Sequence, residues 1–152
     1  SPAGSRDILF LPFLTGRGSP SFDVTRTATF IGLRREHTGA EMARAVLEGV
    51  AFSTKHCLDE ISKHHQVVNE FVLGGGGSRS KLWSQIIADV IERPLHLLRT
   101  SSAGPLGTAL AAGVAVHLFE MASQDASQII EPIAENKKTY ERLYQSYLAL
   151  NG

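Results

Sequence analysis

Residues 74–77 are four consecutive glycines, and they are the part of this sequence that most directly indicates chemistry. They follow the apolar run 70–73, which is predicted as a strand, and precede a helix for which Ser78 or Ser80 is the predicted N-cap. Glycine adopts backbone angles closed to other residues and lets a ligand touch the main chain. The start of the following helix offers unpaired N–H groups and the positive end of its dipole, which suit phosphate. The arrangement therefore indicates a loop that contacts a phosphorylated ligand.

Two other interpretations of these glycines remain open. The first is a strand-to-helix turn tightened so that the helix can lie on the sheet. The second is a dinucleotide-binding loop, but the pattern G-x-G-x-x-G places Arg79 or Ser80 where the last glycine belongs. An arginine at the end of the next strand, Arg99, keeps that reading open because it could hold a 2′-phosphate. The P-loop pattern G-x-x-x-x-G-K-[ST] is excluded, since no glycine precedes Lys81 and Leu82 follows it.

Strands and helices alternate along the predicted chain. Apolar runs predict strands at 7–14, 27–33, 70–73 and 95–98, and helical patterns begin at Thr38, near Ser80, at Gly104 and at Asn136. The first helix is predicted to start with a capping box formed by Thr38 and Glu41 and to end near residues 64–65. The other helices are predicted to end before Pro94, at 119 and at 150. This order predicts an α/β domain with parallel strand pairing in its second half.

Composition sets the class of protein. A chain of 152 residues, 43% hydrophobic and 20% charged, is expected to form one soluble domain. Lysine plus arginine equals aspartate plus glutamate at 15 each, so no net field favours nucleic acid or an anionic membrane. No apolar run approaches the roughly 18 residues of a membrane span, and the opening residues do not resemble a signal peptide. The single cysteine, Cys57, excludes an internal disulfide and agrees with a cytoplasmic location.

Several segments together carry a family resemblance. Ala-Thr-Phe-Ile-Gly-Leu at 28–33, followed after seven residues by Glu-Met-Ala-Arg-Ala-Val-Leu-Glu at 41–48, resembles the C-terminal signature of the FGGY family of carbohydrate kinases. Other segments extend the likeness in the family's order, at 9–14, 47–52, 75–80, 82–83, 88–90, 93–94 and 107–112. The resemblance covers about residues 8–119 and is closest in character to xylulokinases.

The resemblance implies a fold and a nucleotide site. Members of the actin-like ATPase superfamily have two ribonuclease-H-like domains, each a mixed sheet with flanking helices, that close around a cleft. Residues 1–152 would be the C-terminal nucleotide-binding domain, with the sugar held mainly by an N-terminal domain that this chain lacks. Gly75, Gly76 and Gly77 resemble the loop that lies against adenosine and the α-phosphate of ATP, and Ser80 occupies a position near the nucleotide. The helix 104–119 resembles the small-residue helix that packs near the interdomain hinge.

The family's catalytic aspartate and both phosphate-binding segments lie upstream, so no catalytic residue is expected in this chain. The resemblance implies a parent enzyme that uses ATP and Mg²⁺ to phosphorylate a hydroxyl of a ketose or sugar alcohol. The metal ligands are expected outside this chain, and the chain alone is expected to be inactive. The segment 16–20 reads Gly-Arg-Gly-Ser-Pro where relatives commonly read Gly-Glu-Arg-Thr-Pro. This departure keeps an alternative open, a non-catalytic nucleotide-binding or assembly module from a truncated or degenerate kinase. A homodimer is also left open.

Overall fold

The computed structural model describes residues 1–64, 70–98, 103–117 and 126–151. Within them strands and helices alternate, as the sequence predicts. The five described strands are β1 Leu9–Leu11, β2 Thr29–Ile31, β3 Phe71–Leu73, β4 Leu95–Leu98 and β5 Ala126–Ile130. The four described helices are α1 Gly39–His64, α2 Lys81–Ile91, α3 Ala103–Ala115 and α4 Lys137–Asn151. Short 3-10 turns occupy Ser5–Asp7, Gly76–Arg79 and Ala134–Asn136. The predicted helix ends at residues 65 and 119 lie outside the described residues.

The described strands form two sheets. In the first, β1 pairs antiparallel with β2, and Phe10 lies opposite Phe30. In the second, of order β3-β4-β5, β3 and β4 are parallel while β4 and β5 are antiparallel. The predicted parallel pairing is therefore confirmed for β3 and β4. The sequence pattern does not predict β5, which has a polar Ser-Gln centre and depends on pairing with the edge of β4.

The helices α1, α2 and α4 share one apolar core with both sheets. Phe52 of α1 is 1% exposed and lies at its centre. Its ring centroid is 6.1 Å from that of Tyr140, 6.0 Å from that of Tyr144 and 5.8 Å from that of Tyr147. These tyrosines follow one another at helical spacing in the sequence, which predicts an apolar stripe along the last helix, and all three are buried. Strand residues from both sheets, among them Leu9 and Leu97, belong to the same cluster.

The predicted capping box holds the start of α1. The Thr38 N–H donates to Glu41 Oε2 at 2.8 Å, and the Thr38 hydroxyl donates to the same oxygen. In return, the Ala40 N–H donates to Thr38 Oγ1 at 3.3 Å. The hydroxyl bond from Thr38, followed by its N–H bond, lowers the pKa of Glu41 to about 2. The carboxylate therefore satisfies a donor that the helix itself leaves unpaired.

Glu41→Gln is expected to remove part of the acid sensitivity of folding. The pKa of Glu41 lies below its ordinary value of 4.5 in the folded chain, so the carboxylate stabilises the fold above that pH. This contribution is lost as the pH falls toward about 2. Thermal melts over this range should show a smaller loss of melting temperature for the variant than for the wild type. Glu36→Gln, at an exposed position, is the control. Identical pH profiles for Glu41→Gln and wild type would contradict the prediction.

Candidate functional site

The glycine loop lies at the carboxyl edge of the parallel strand pair. It leaves β3 at Leu73, and the 3-10 turn Gly76–Arg79 leads from it into α2. Because β3 and β4 are parallel, the end of β4 lies at the same edge, and α3 begins a few residues beyond it at Ala103. Open α/β sheets bind ligands in the crevice at this edge. The segment 99–102, which includes Arg99 of the dinucleotide interpretation, lies outside the described residues.

Ser80 is the N-cap of α2. The Trp83 N–H donates to Ser80 Oγ at 3.2 Å, which decides between the two predicted caps. Ser78 instead closes the loop, since its hydroxyl donates to the Gly75 carbonyl at 2.7 Å. Accepting the capping bond leaves the hydroxyl hydrogen of Ser80 able to donate to a ligand. The predicted place of Ser80 near a nucleotide stays a prediction.

Two of the loop glycines are needed by the fold. Gly75 has φ 83° and ψ −169°, a region that is essentially closed to other residues. Gly77 lies close to the indole of Trp83, because a β-carbon built on it would be 3.0 Å from Trp83 Nε1. A tightened strand-to-helix turn therefore explains both positions.

Gly76 has no comparable structural reason to be glycine. It is exposed, its φ lies outside the left-handed region, and a β-carbon built on it would meet nothing within 4 Å. The main chain is thus bare at a loop position where neither the backbone angle nor the surrounding space excludes a side chain. Close approach of a ligand to the backbone requires this arrangement. Gly76 therefore supports the ligand-contact interpretation, while its neighbours shape the loop.

The charges beside the loop suit an anion. Arg79 ends the 3-10 turn, Lys81 begins α2, and the first turn of α2 has no acidic residue. Arg79 and Lys81 are not among the site residues predicted from the sequence. The sequence feature that indicates them is their position on either side of the N-cap serine. There, positive side chains increase the positive potential that the helix dipole already creates.

Trp83 borders this loop without being an open stacking surface. It is half-buried and packs against the shared core, with its indole nitrogen edge toward Gly77. It is the only tryptophan in the chain. Its fluorescence therefore reports on the loop and on the part of the core that its indole touches.

The polar end of α1 forms structural contacts instead of a second site. Asp59 accepts hydrogen bonds from Lys55 Nζ at 3.2 Å and from the Tyr144 hydroxyl at 2.6 Å, and Glu60 pairs with Lys63. Over the described ranges, no group of three or more His, Cys, Asp or Glu side chains is placed to hold a metal ion. The residues described here thus do not fit Mg²⁺ by themselves.

The small-residue helix α3 exposes most of its surface. Gly104, Gly107 and Ala111 follow a helical spacing along one side, all three are exposed, and β-carbons built on the two glycines would meet nothing within 4 Å. Such a face lets a second helix approach closely. Its predicted place near an interdomain hinge stays a prediction.

A model of the FGGY family of carbohydrate kinases, C-terminal domain, matches residues 1–116. The chain belongs to the FGGY family. A xylulose kinase from Staphylococcus epidermidis is 29% identical over 156 residues, covering 99% of this chain and 32% of that protein. The ligand-bound xylulose kinase from Lactobacillus acidophilus superposes with a TM-score of 0.86 at 29% identity, over 99% of this chain and 32% of that one.

The fold is that of the actin-like ATPases, with the predicted mixed sheet and flanking helices. Plasmodium falciparum glycerol kinase with ADP superposes with a TM-score of 0.77 at 21% identity, over 97% of this chain and 31% of that one. At that level of identity, the similarity shows a shared fold and nothing more. The chain spans about a third of the length of the curated relatives it matches. Among its described residues, no helix is both long and apolar enough to cross a membrane.

Proposed function

We propose that this chain supplies the nucleotide-binding side of an ATP-dependent sugar kinase whose acceptor is a hydroxyl of a ketose such as xylulose. The observation that carries the proposal is Gly76, a bare main-chain position between two glycines that the fold itself requires. It lies at the carboxyl edge of β3, in a chain of the FGGY family. The xylulose kinases among its relatives favour a ketose over other acceptors.

Each loop residue has a distinct part in this proposal. Gly75 turns the chain out of β3, and Gly77 lets the turn lie against Trp83. Gly76 then presents its backbone to the adenosine and α-phosphate of ATP. The Ser80 hydroxyl donates a hydrogen bond toward the nucleotide while its oxygen caps α2.

The chemical step needs groups that this chain does not bring together. Phosphoryl transfer depends on positioning and on charge stabilisation from both sides of the phosphates. A catalytic aspartate and the ligands of Mg²⁺, the ion that neutralises phosphate charge during the transfer, are proposed to lie in preceding polypeptide. The 152-residue chain would then bind one face of ATP and leave the opposite face to water.

A coupled assay of ADP release tests this function. Full-length kinase, given ATP, Mg²⁺ and a panel that contains xylulose, glycerol and gluconate, is expected to release ADP in proportion to added ketose. The 152-residue chain alone is expected to release none above background, because half of the site is missing. The absence of sugar-dependent turnover by the full-length protein would overturn the proposal.

A non-catalytic nucleotide-binding or assembly module is the second candidate. The observation that favours it is Arg17, which stands where relatives commonly have glutamate. Its side chain is buried and donates a hydrogen bond to the C-terminal end of α4 instead of facing a ligand. Nucleotide binding by the full-length protein without any sugar-dependent ADP release would support this module over the kinase.

A further inference from the structure

Two arginines attach the loop between β1 and β2 to the last turn of α4. Arg17, which is 8% exposed, donates from Nη1 to the Asn151 carbonyl at 2.5 Å. Arg26 donates from Nη1 to the Leu150 carbonyl at 3.0 Å. Carbonyls at a helix C-terminus lack partners within the helix and carry the negative end of its dipole, so guanidinium groups stabilise them.

The charge of Arg17 is buried without an anion beside it. Its guanidinium also donates from Nε to the Ser21 carbonyl at 3.1 Å. Both of its acceptors are neutral carbonyls, and among the described residues Arg17 takes part in no ion pair. The carboxylate of the same loop, Asp23, pairs instead with Arg26 Nε at 3.1 Å. A buried cation held only by dipoles is sensitive to any further positive charge placed near it.

His56 of α1 is the side chain that can supply such a charge, because histidine gains a proton between about pH 8 and pH 5. Its ring meets that of Tyr147 of α4 edge-on, with centroids 6.3 Å apart and planes at 84°. The ring nitrogen Nδ1 is buried and has no hydrogen-bond partner. Burial raises the pKa of the Tyr147 hydroxyl, so this neighbour stays neutral. Protonation of His56 would therefore bury an N–H that has no acceptor.

Charged groups from α1 and from the loop act on His56. Burial has the largest effect and lowers the pKa of the ring below its ordinary value of 6.5. Glu60 opposes that shift, Arg17 adds to it, and the smaller effects of Asp59 and Lys63 have opposite signs. Both carboxylates are already in ion pairs with lysines of α1. The folded chain therefore favours the neutral ring.

We infer that His56 and Arg17 form a pH-sensitive latch, in which protonation of His56 releases Arg17 from the end of α4. The latch combines a buried ring nitrogen that has no partner with a buried guanidinium that has no anion. The bond from Arg26 to α4 and the two backbone bonds of 2.8 Å between Arg17 and Asp23 contain no group that titrates in this range. The loop therefore loosens at low pH without unfolding.

The direction of the switch follows from the form of His56 that the fold favours. Because the folded chain favours the neutral ring, the latch is closed above pH 6.5 and weakens as the pH falls below that value. The new charge is relieved by movement of Arg17, since only carbonyls hold its guanidinium. Glu41, with a pKa of about 2, titrates far below this range, so the two acid effects are separable.

Nuclear magnetic resonance of the 152-residue chain tests the latch without nucleotide or sugar. The ring C–H signal of His56 follows its protonation, and solvent exchange of the Arg17 Nε–H follows opening of the latch. Near pH 5, this N–H is expected to exchange at least about tenfold faster in the wild type than in His56→Phe, because the open population differs by that factor. Phenylalanine keeps a ring against Tyr147 and has no nitrogen to protonate. Near pH 8 the two proteins are expected to exchange alike.

Two further variants keep the test decisive if His56→Phe fails to fold. In Arg17→Met the midpoint of the His56 titration is expected at a higher pH than in the wild type, because a nearby cation has been removed. His64→Phe, at the exposed end of α1, is the matched control and should keep the acid response. Equal exchange in wild type and His56→Phe near pH 5 would overturn the latch, as would an unchanged midpoint in Arg17→Met. Loss of the response in His64→Phe would overturn it too, since another histidine would then be the one that titrates.

Discussion

Replacing Glu48 with glutamine is expected to lower the melting temperature of the chain by about 10 °C, from a loss of about 3 kcal/mol. Glu48 is 1% exposed and joins the N-terminal turn, α1 and α4. Its Oε1 accepts from the Gly4 N–H at 2.9 Å, Arg44 Nε at 2.8 Å and the Tyr140 hydroxyl at 2.9 Å. Its Oε2 accepts from the Ser5 hydroxyl at 2.6 Å. In each of these four hydrogen bonds the Glu48 carboxylate is the acceptor.

Glutamine would keep the shape of Glu48 and remove its charge. Arg44, whose side chain is only 13% exposed, would lose its anionic partner, and one acceptor oxygen would become an amide donor. Burial, and then the nearby Glu48 carboxylate, raise the pKa of the Tyr140 hydroxyl, so that group stays protonated and donates. Thermal melts of Glu48→Gln beside the exposed control Glu36→Gln measure the effect. A shift of less than about 3 °C would show that the network contributes little.

Local signals in the sequence were sufficient for much of the fold. Thr38 and Glu41 predict the start of α1 because the capping bonds join residues only two or three positions apart. Ser80 was one of two predicted caps for α2 for the same reason. The stripe of tyrosines predicts the buried side of α4, since helical spacing alone places them together.

Contacts between distant residues could not be predicted in this way. Glu48 lies on a helix, where a glutamate ordinarily faces water, and its partners Gly4 and Tyr140 are 44 and 92 positions away. From the sequence, Arg17 is expected to be an ordinary polar loop residue. Its partner, the Asn151 carbonyl, lies 134 positions later in the chain and comes within hydrogen-bond distance only when α4 packs beside the loop. The strand β5 has a weak pattern of its own and forms on the edge that β4 offers.

The candidate site, like the fold, is predictable from the sequence only in part. A run of glycines after a strand predicts the loop. It does not predict which glycine the backbone angles or the packing require and which one leaves room for a ligand. That distinction follows from the left-handed angle of Gly75 and from the packing of Gly77 on Trp83. Only the structure therefore identifies Gly76 as the position where a substitution tests ligand contact rather than folding.

In the proposed full-length kinase, Gly76→Val is expected to raise the apparent KM for ATP by at least about tenfold, equivalent to about 1.4 kcal/mol of binding. The KM for the sugar is expected to stay nearly unchanged. A β-carbon at this position meets no protein atom within 4 Å, and its φ is not left-handed, so valine is compatible with the folded loop. The two methyl groups of valine would instead occupy space over the bare main chain, where the nucleotide is proposed to lie.

Gly77→Ala is the matched control, because its methyl group would press against Trp83 at 3.0 Å. That variant is expected to lower the melting temperature and to shift the fluorescence of the single tryptophan, while Gly76→Val should change neither. Melting temperature and ATP kinetics are measured on the same preparation of each protein. A lower melting temperature for Gly76→Val with an unchanged KM would favour the tightened-turn interpretation at this position. Normal stability with normal ATP kinetics would remove Gly76 from the site, since a valine that neither disturbs the fold nor obstructs ATP must face empty solvent.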